Sequence, residues 1–174
     1  MVLTVEAPNE IYSPENNRNI KLFLAGGITN CPDWQSDIID KLNVIHTHQV
    51  VVIPSWNVTI YNPRRKNFPI NDKTAATEQI TWEYNHLRDA DIISFWFSAG
   101  SQNPIVLYEL GLWCNAHAST TKLFCIGIDP QYERKQDVII QTSLARPDIR
   151  IVDTIEALAG KISSCISKKM ITNR

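Results

Sequence analysis

The run Asp91-Ile92-Ile93-Ser94-Phe95-Trp96-Phe97, followed closely by Pro104-Ile105-Val106-Leu107-Tyr108-Glu109-Leu110-Gly111-Leu112-Trp113, decides the fold of this chain. The first run is apolar without alternation and reads as a strand buried on both faces. The second enters through a proline, where a helix tolerates one, and reads as a helix. A strand buried on both faces needs helices on both sides, so the two runs read as one unit of an α/β protein with a parallel sheet. Glu109 is the one Asp, Glu, Lys or Arg between Asp91 and Lys122. It stands at the head of a helix, just past the end of a central strand. In an open α/β sheet the crevice outside the carboxyl ends of the strands is where ligands bind. A carboxylate held there in apolar surroundings gains proton affinity unless it finds a partner. That suits a nucleophile or an acid/base group.

Outward from this unit, strands and helices alternate. Residues 20–25 read as an apolar strand ending in Gly26-Gly27, and residues 33–44 as a helix in which Trp34, Ile38 and Leu42 recur every four positions. Residues 50–53 read as the next strand, stopped by Pro54, and residues 55–73 as a long loop rich in Asn and Pro that carries Asn62-Pro63-Arg64-Arg65-Lys66. A helix is expected over 74–89. There Ala76, Ile80, Glu83, Leu87 and Ala90 form one stripe, which places a carboxylate on a buried face. Such an acid needs a reason. Residues 122–128 and 150–152 read as the fourth and fifth strands, residues 129–135 as a loop carrying Arg134, and residues 154–168 as the closing helix. The alternation predicts a parallel sheet covered on both faces by right-handed crossovers. Residues 1–19 are polar and read as an N-terminal arm with a short edge strand over 2–5; residues 20–174 read as a single domain.

The chain has 174 residues, 44% of them hydrophobic and 20% charged, which suits one soluble globular domain. A net charge of −1 argues against a nucleic-acid polymer as partner. No apolar run has the length of a membrane span and no signal-peptide pattern opens the chain, so a cytoplasmic protein without a membrane partner is expected. Cys31, Cys114, Cys125 and Cys165 lie far apart in sequence and read as reduced, buried thiols. Neither CxxC nor HExxH nor any zinc-ligand spacing occurs, and no metal site is expected.

Several pieces together resemble the nucleoside 2-deoxyribosyltransferase superfamily, in its deoxyribosyltransferase-like branch. They are Phe23-Leu24-Ala25-Gly26-Gly27-Ile28 with Asp33-Trp34-Gln35, then Asn62-Pro63-Arg64-Arg65, Gln79, Trp82-Glu83, Leu87 and Ala90-Asp91, and finally Pro104-Ile105 with Glu109-Leu110-Gly111. Each is weak alone; their order and spacing make the match specific. The resemblance implies a flavodoxin-like three-layer sandwich around a five-stranded parallel sheet. It implies that Glu109, in a Glu-x-Gly motif, is the nucleophile, and that Glu83, 26 residues upstream, is the general acid/base. It implies substrate contacts near Gly26, Gly27, Asp33, Trp34, Arg64, Arg65, Asn103 and Arg134. It further implies a homo-oligomer whose pocket is completed by the neighbouring subunit's loop after the fourth strand, here 129–138. The aromatic residues Tyr132 and Trp113 suit a subunit contact there, with a core position the equal alternative for Trp113. The chain departs from the family where an aspartate six residues before the nucleophile is replaced by Asn103. An amide there can still hydrogen-bond a hydroxyl but cannot take its proton. A second departure is Gly27-Ile28-Thr29, where family members often carry an aromatic residue.

Each of these residues also has an ordinary reading. Glu109 suits the N-terminal half of a helix through the dipole, worth about 0.3–1 kcal/mol. Glu83 pairs with Arg88 or with a loop arginine. Arg64 and Arg65 form a solvated pair or reach a carbonyl or phosphate. Trp34 and Trp82 are core residues or stacking platforms. Gly26-Gly27 permits close backbone approach but is no dinucleotide fingerprint. The chemistry implied is N-glycosidic cleavage by two carboxyls without cofactor, on a nucleoside or nucleotide, with a free nucleobase as acceptor. If water accepts the sugar, the outcome is hydrolysis. The third reading is a non-catalytic nucleotide-binding module.

Overall fold

The computed structural model describes residues 2–10, 19–49, 57–69, 71–114 and 122–172. It is a three-layer α/β protein with a parallel sheet at its centre. The elements are β1 (Val2–Glu6), β2 (Asn19–Gly26), α1 (Trp34–Gln49), β3 (Asn57–Asn62), α2 (Ala75–Asp89), β4 (Ile92–Phe97), α3 (Pro104–Cys114), β5 (Leu123–Ile128), α4 (Lys135–Ala145), β6 (Ile151–Val152) and α5 (Ile155–Thr172). The strand order is β1-β3-β2-β4-β5-β6, six strands where the sequence pointed to five. The sixth strand is β1, which matches the short edge strand expected over 2–5 within the arm but was not counted in the five-stranded sheet. It runs parallel to β3 from Val2 opposite Val58 to Glu6 opposite Asn62. Val5 is buried there, so β1 covers an edge that would otherwise be open.

With β1 set aside, the remaining strands follow the order 2-1-3-4-5 of flavodoxin-like sheets, whose switch point lies between the first and third of them. Here that point lies between β2 and β4. The apolar run of β4 is buried at every position, as a strand covered on both faces requires. Ile92 and Trp96 join Ile20, Leu22, Leu24, Val58 and Ile60 beneath α1 and α5. Ile93, Phe95 and Phe97 join Phe23, Tyr61, Ile126 and Ile128 beneath α2, α3 and α4.

Three readings change. The strand expected over 50–53 lies outside the described residues, and the strand that follows α1 is β3, within the stretch read as a loop. Its alternation of Val58 and Ile60 with Thr59 and Tyr61 is masked by polar composition, yet all four are buried because β3 lies between β1 and β2. The buried face of α2 consists of Ala75, Trp82, His86 and Leu87, whereas Ile80 is 65% exposed and Ala76 is exposed. Trp82 and His86 therefore set the helix rotation, and Glu83 keeps its inward side. Helix α4 begins within the stretch read as the loop 129–138 and continues through residues the sequence left unassigned. Its Val138-Ile139-Ile140 run is poor in helix propensity, and burial of Val138 supports the helix instead. Cys125 and Cys165, 40 residues apart, meet with their sulfurs 3.4 Å apart; all four thiols are free.

Candidate active site

Past the carboxyl ends of β2 and β4 the chain leaves for opposite faces of the sheet, to α1 and to α3, and a cleft of about 340 Å³ lies at this switch point. Its wall on the β2 side is Phe23, Ala25, Gly26, Gly27, Ile28 and Thr29. The two glycines are required by packing. A Cβ on Gly26 would stand 2.4 Å from the Trp34 ring, and one on Gly27 would stand 2.1 Å from Asn103 Oδ1. Trp34 is fully buried, with Nε1 donating to the Gly27 carbonyl at 3.1 Å, so it belongs to the core and braces this turn from behind.

Asn103 and Pro104 form the opposite wall with Ser101, Ile105 and Val106. Asn103 has a φ of 48°, a left-handed conformation that asparagine tolerates better than most residues. Its carbonyl accepts the first α3 hydrogen bond, from Leu107 N at 3.0 Å. Its amide nitrogen donates to the carbonyls of Ser101 (3.3 Å) and Ser98 (3.5 Å). The asparagine thus both lines the cleft and fixes the turn that starts α3. Pro104 follows as the first helical residue, where its missing N–H costs nothing.

Two carboxyls enter this cleft, Glu83 from α2 and Glu109 from the second turn of α3. Their environments differ. Burial, and secondly the negative charge of Glu83, push the Glu109 carboxyl up to about 8. Burial also raises Glu83, but a hydrogen bond from Gln79 and the charge of Arg65 oppose it. Gln79 Nε2 donates to Glu83 Oε1 at 2.7 Å and to the Pro63 carbonyl at 2.8 Å. Gln79 was singled out in the sequence only as a matching residue; its position four before Glu83 on one helix was the available signal of contact.

The other residues singled out in the sequence are not part of the cleft lining. Arg64 ties the β2–α1 turn together. Its Nε donates to Gln35 Oε1 (2.9 Å) and lies 3.3 Å from Asp33, and its Nη2 donates to the Pro32 carbonyl (2.8 Å). Asp33 accepts from Ser36 N (3.2 Å) and Ser36 Oγ (2.9 Å), closing the start of α1. Arg65 is almost wholly buried, pairs with Glu78 at 2.7 Å and lies over the Phe68 ring. Arg134 is exposed at the start of α4 and pairs with Asp137 at 3.2 Å. Tyr132, expected at a surface contact, is buried. It packs on Phe97 and donates to the Gln102 carbonyl at 2.9 Å, so the β5–α4 loop is anchored to the cleft wall. Trp113 packs partly buried against the core and beside Tyr84. Among the described residues no group of three or more His, Cys, Asp or Glu could hold a metal ion, and no helix is long and apolar enough to cross a membrane.

A family model described as nucleoside 2-deoxyribosyltransferase like matches residues 19–129. That range runs from the start of β2 past the end of β5 and contains every residue lining the cleft. No curated protein sequence matches the chain.

Proposed function

The chain belongs to the nucleoside 2-deoxyribosyltransferase-like family, and from that premise we propose that it cleaves the N-glycosidic bond of a deoxynucleoside and passes the sugar to a second nucleobase. The observation that carries this reading is the pair of unequal carboxyls in one cleft at the switch point of the sheet. Cleavage passes through an oxocarbenium-like state, and the base leaves well only when protonated. Glu109 captures the anomeric carbon as a glycosyl ester, and Glu83 carries the proton to and from the base. The two groups titrate as a pair, so one proton shared between them is the active state. At low pH both are protonated and no nucleophile remains. Above about 8, where Glu109 loses its proton, no proton remains for the leaving base.

Among the described residues no Lys or Arg lines the cleft, which favours a nucleoside over a 5′-monophosphate. A subunit partner is also part of the proposal. Ile105, Tyr108 and Leu112 on α3 and Tyr84 on α2 are 41–69% exposed, a run of apolar surface beside the cleft suited to a second copy. Hydrolysis is the same chemistry with water as acceptor. The deciding experiment is a screen of nucleosides and nucleotides with and without a labelled free base, read by chromatography. Incorporation of label supports transfer, release of base without incorporation supports hydrolysis, and binding without turnover overturns both.

A further inference from the structure

Gln79 stands behind the cleft lining, one helical turn before Glu83. The Pro63 carbonyl can only accept a hydrogen bond, so the end of the Gln79 amide that faces it must be the NH2. The same NH2 faces Glu83 Oε1 at 2.7 Å. Glu83 is thereby an acceptor, and an ionised acceptor makes the stronger bond. Arg65 acts in the same direction from the loop between β3 and α2, with Glu78 as its ion-pair partner. Glu109 on α3 is raised by burial and by the charge of Glu83, and among the described residues no side-chain donor reaches it. A backbone carbonyl just past the end of β3 thus aims the Gln79 donor at Glu83, and together with the charge of Arg65 this sets Glu83 apart from Glu109.

We propose that Gln79 is a positioning residue that holds Glu83 ionised for the second half of the transfer, when the incoming nucleobase must lose a proton. This rests on the transferase reading above. In that step the N–H of the incoming base gives its proton to Glu83. The ring nitrogen forms its bond to the anomeric carbon, and the bond from that carbon to Glu109 breaks, returning Glu109 as a carboxylate. Until then Glu109 is a neutral ester, so Glu83 is the carboxyl left in the cleft to act as base, and Gln79 faces it.

The test uses Gln79→Met, which keeps the length and removes the donor, and Gln79→Asn, which keeps an amide too short to reach. Carbon-13 NMR of the glutamate carboxyls, with Glu83 assigned through Glu83→Gln, follows its titration in the free protein. Losing a donor to the carboxylate favours the protonated form, so the Glu83 midpoint moves to higher pH in both variants. In single-turnover experiments the transfer step slows roughly tenfold to a hundredfold, its acidic limb moves to higher pH, and sugar-loaded Glu109 accumulates in the mass spectrum. A purely structural role lowers the folded fraction without moving midpoint or limb. An unchanged midpoint in both variants overturns the proposal even if turnover falls. A wild-type protein that forms no sugar adduct with any nucleoside overturns the transferase reading itself, and with it this step.

Discussion

The two faces of the sheet are finished differently. On one, α1 and α5 pack against each other and against β2, β3, β4 and β5 through Trp34, Ile38, Leu42, Leu158, Ile162 and Ile166. Of the large apolar side chains on these helices, only Val44 and Ile171 stand exposed among the described residues. On the other face, α2, α3 and α4 bury Trp82, Leu87, Val106, Leu110 and Val138 against the sheet. They also present Ile80, Tyr84, Ile105, Tyr108, Leu112, Ile140 and Leu144 outward. Both cleft carboxyls sit on this second layer. One layer is closed on itself and serves stability. The other carries apolar surface on its outside and ionisable groups on its inside, each costly to a monomer. Both costs suit the proposed function, in which this layer meets substrate on one side and a second copy on the other.

The largest break in this comparison is expected from Glu109→Gln. Turnover should fall by roughly three orders of magnitude or more, since a lost nucleophile removes several kcal/mol of transition-state stabilisation. The fold should survive. The folded-state affinity of Glu109 for its proton is raised, so its stabilising contribution is present at low pH and is lost as pH rises through about 8. Glutamine cannot ionise, and the variant should melt higher than wild type above that pH. A melting temperature lower than wild type at pH 9 would contradict the buried-carboxyl account.

Next comes Ile162→Ala in the closed layer. Ile162 is fully buried between α5 and the sheet, and its truncation should cost about 2–5 kcal/mol by denaturant unfolding. Activity per folded molecule should be unchanged. A comparable stability loss for Ile105→Ala, which is 64% exposed, would erase the distinction between the layers.

The pH profile sharpens the contrast within the cleft. The basic limb of kcat/KM is expected near 8, where the pair loses its last proton. In Glu83→Gln the charge that helps raise Glu109 is gone, so the Glu109 midpoint should fall, which is readable by NMR even where activity is low. An unmoved midpoint would mean that burial alone sets it. The smallest effect on stability is expected from Tyr108→Lys. Its 69% exposure predicts a change within about 0.5 kcal/mol, while light scattering should show fewer associated subunits. A wild-type protein that is monomeric and fully active would remove the partner face from the proposal.

Legibility followed the kind of signal each element carries. β4 and α3 were readable because an apolar run and a proline-led helix state their structure locally. β2, ending at Gly26, and α1, with Trp34, Ile38 and Leu42 inward, were readable for the same reason. The inward side of Glu83 was legible, but its neighbours were not. Periodicity alone admitted a stripe through Ile80, and the fit of Trp82 and His86 against Phe23 and Tyr61 chose another. β3 was hidden because Asn57, Thr59 and Asn62 look like loop residues until flanking strands take up their backbone groups.

The sequence by itself determined the α/β class, the strand–helix alternation apart from β3 and α4, and the isolation of Glu109, since each rests on contacts between near neighbours in the chain. Only the tertiary structure decided that the edge strand expected over 2–5 pairs with β3 and brings the sheet to six strands, that α4 is a helix, and that Cys125 meets Cys165. It also decided that the Pro63 carbonyl orients the Gln79 amide toward Glu83. Each of these depends on groups brought together from distant positions by strand pairing and helix packing, and no local periodicity encodes which distant group will meet which.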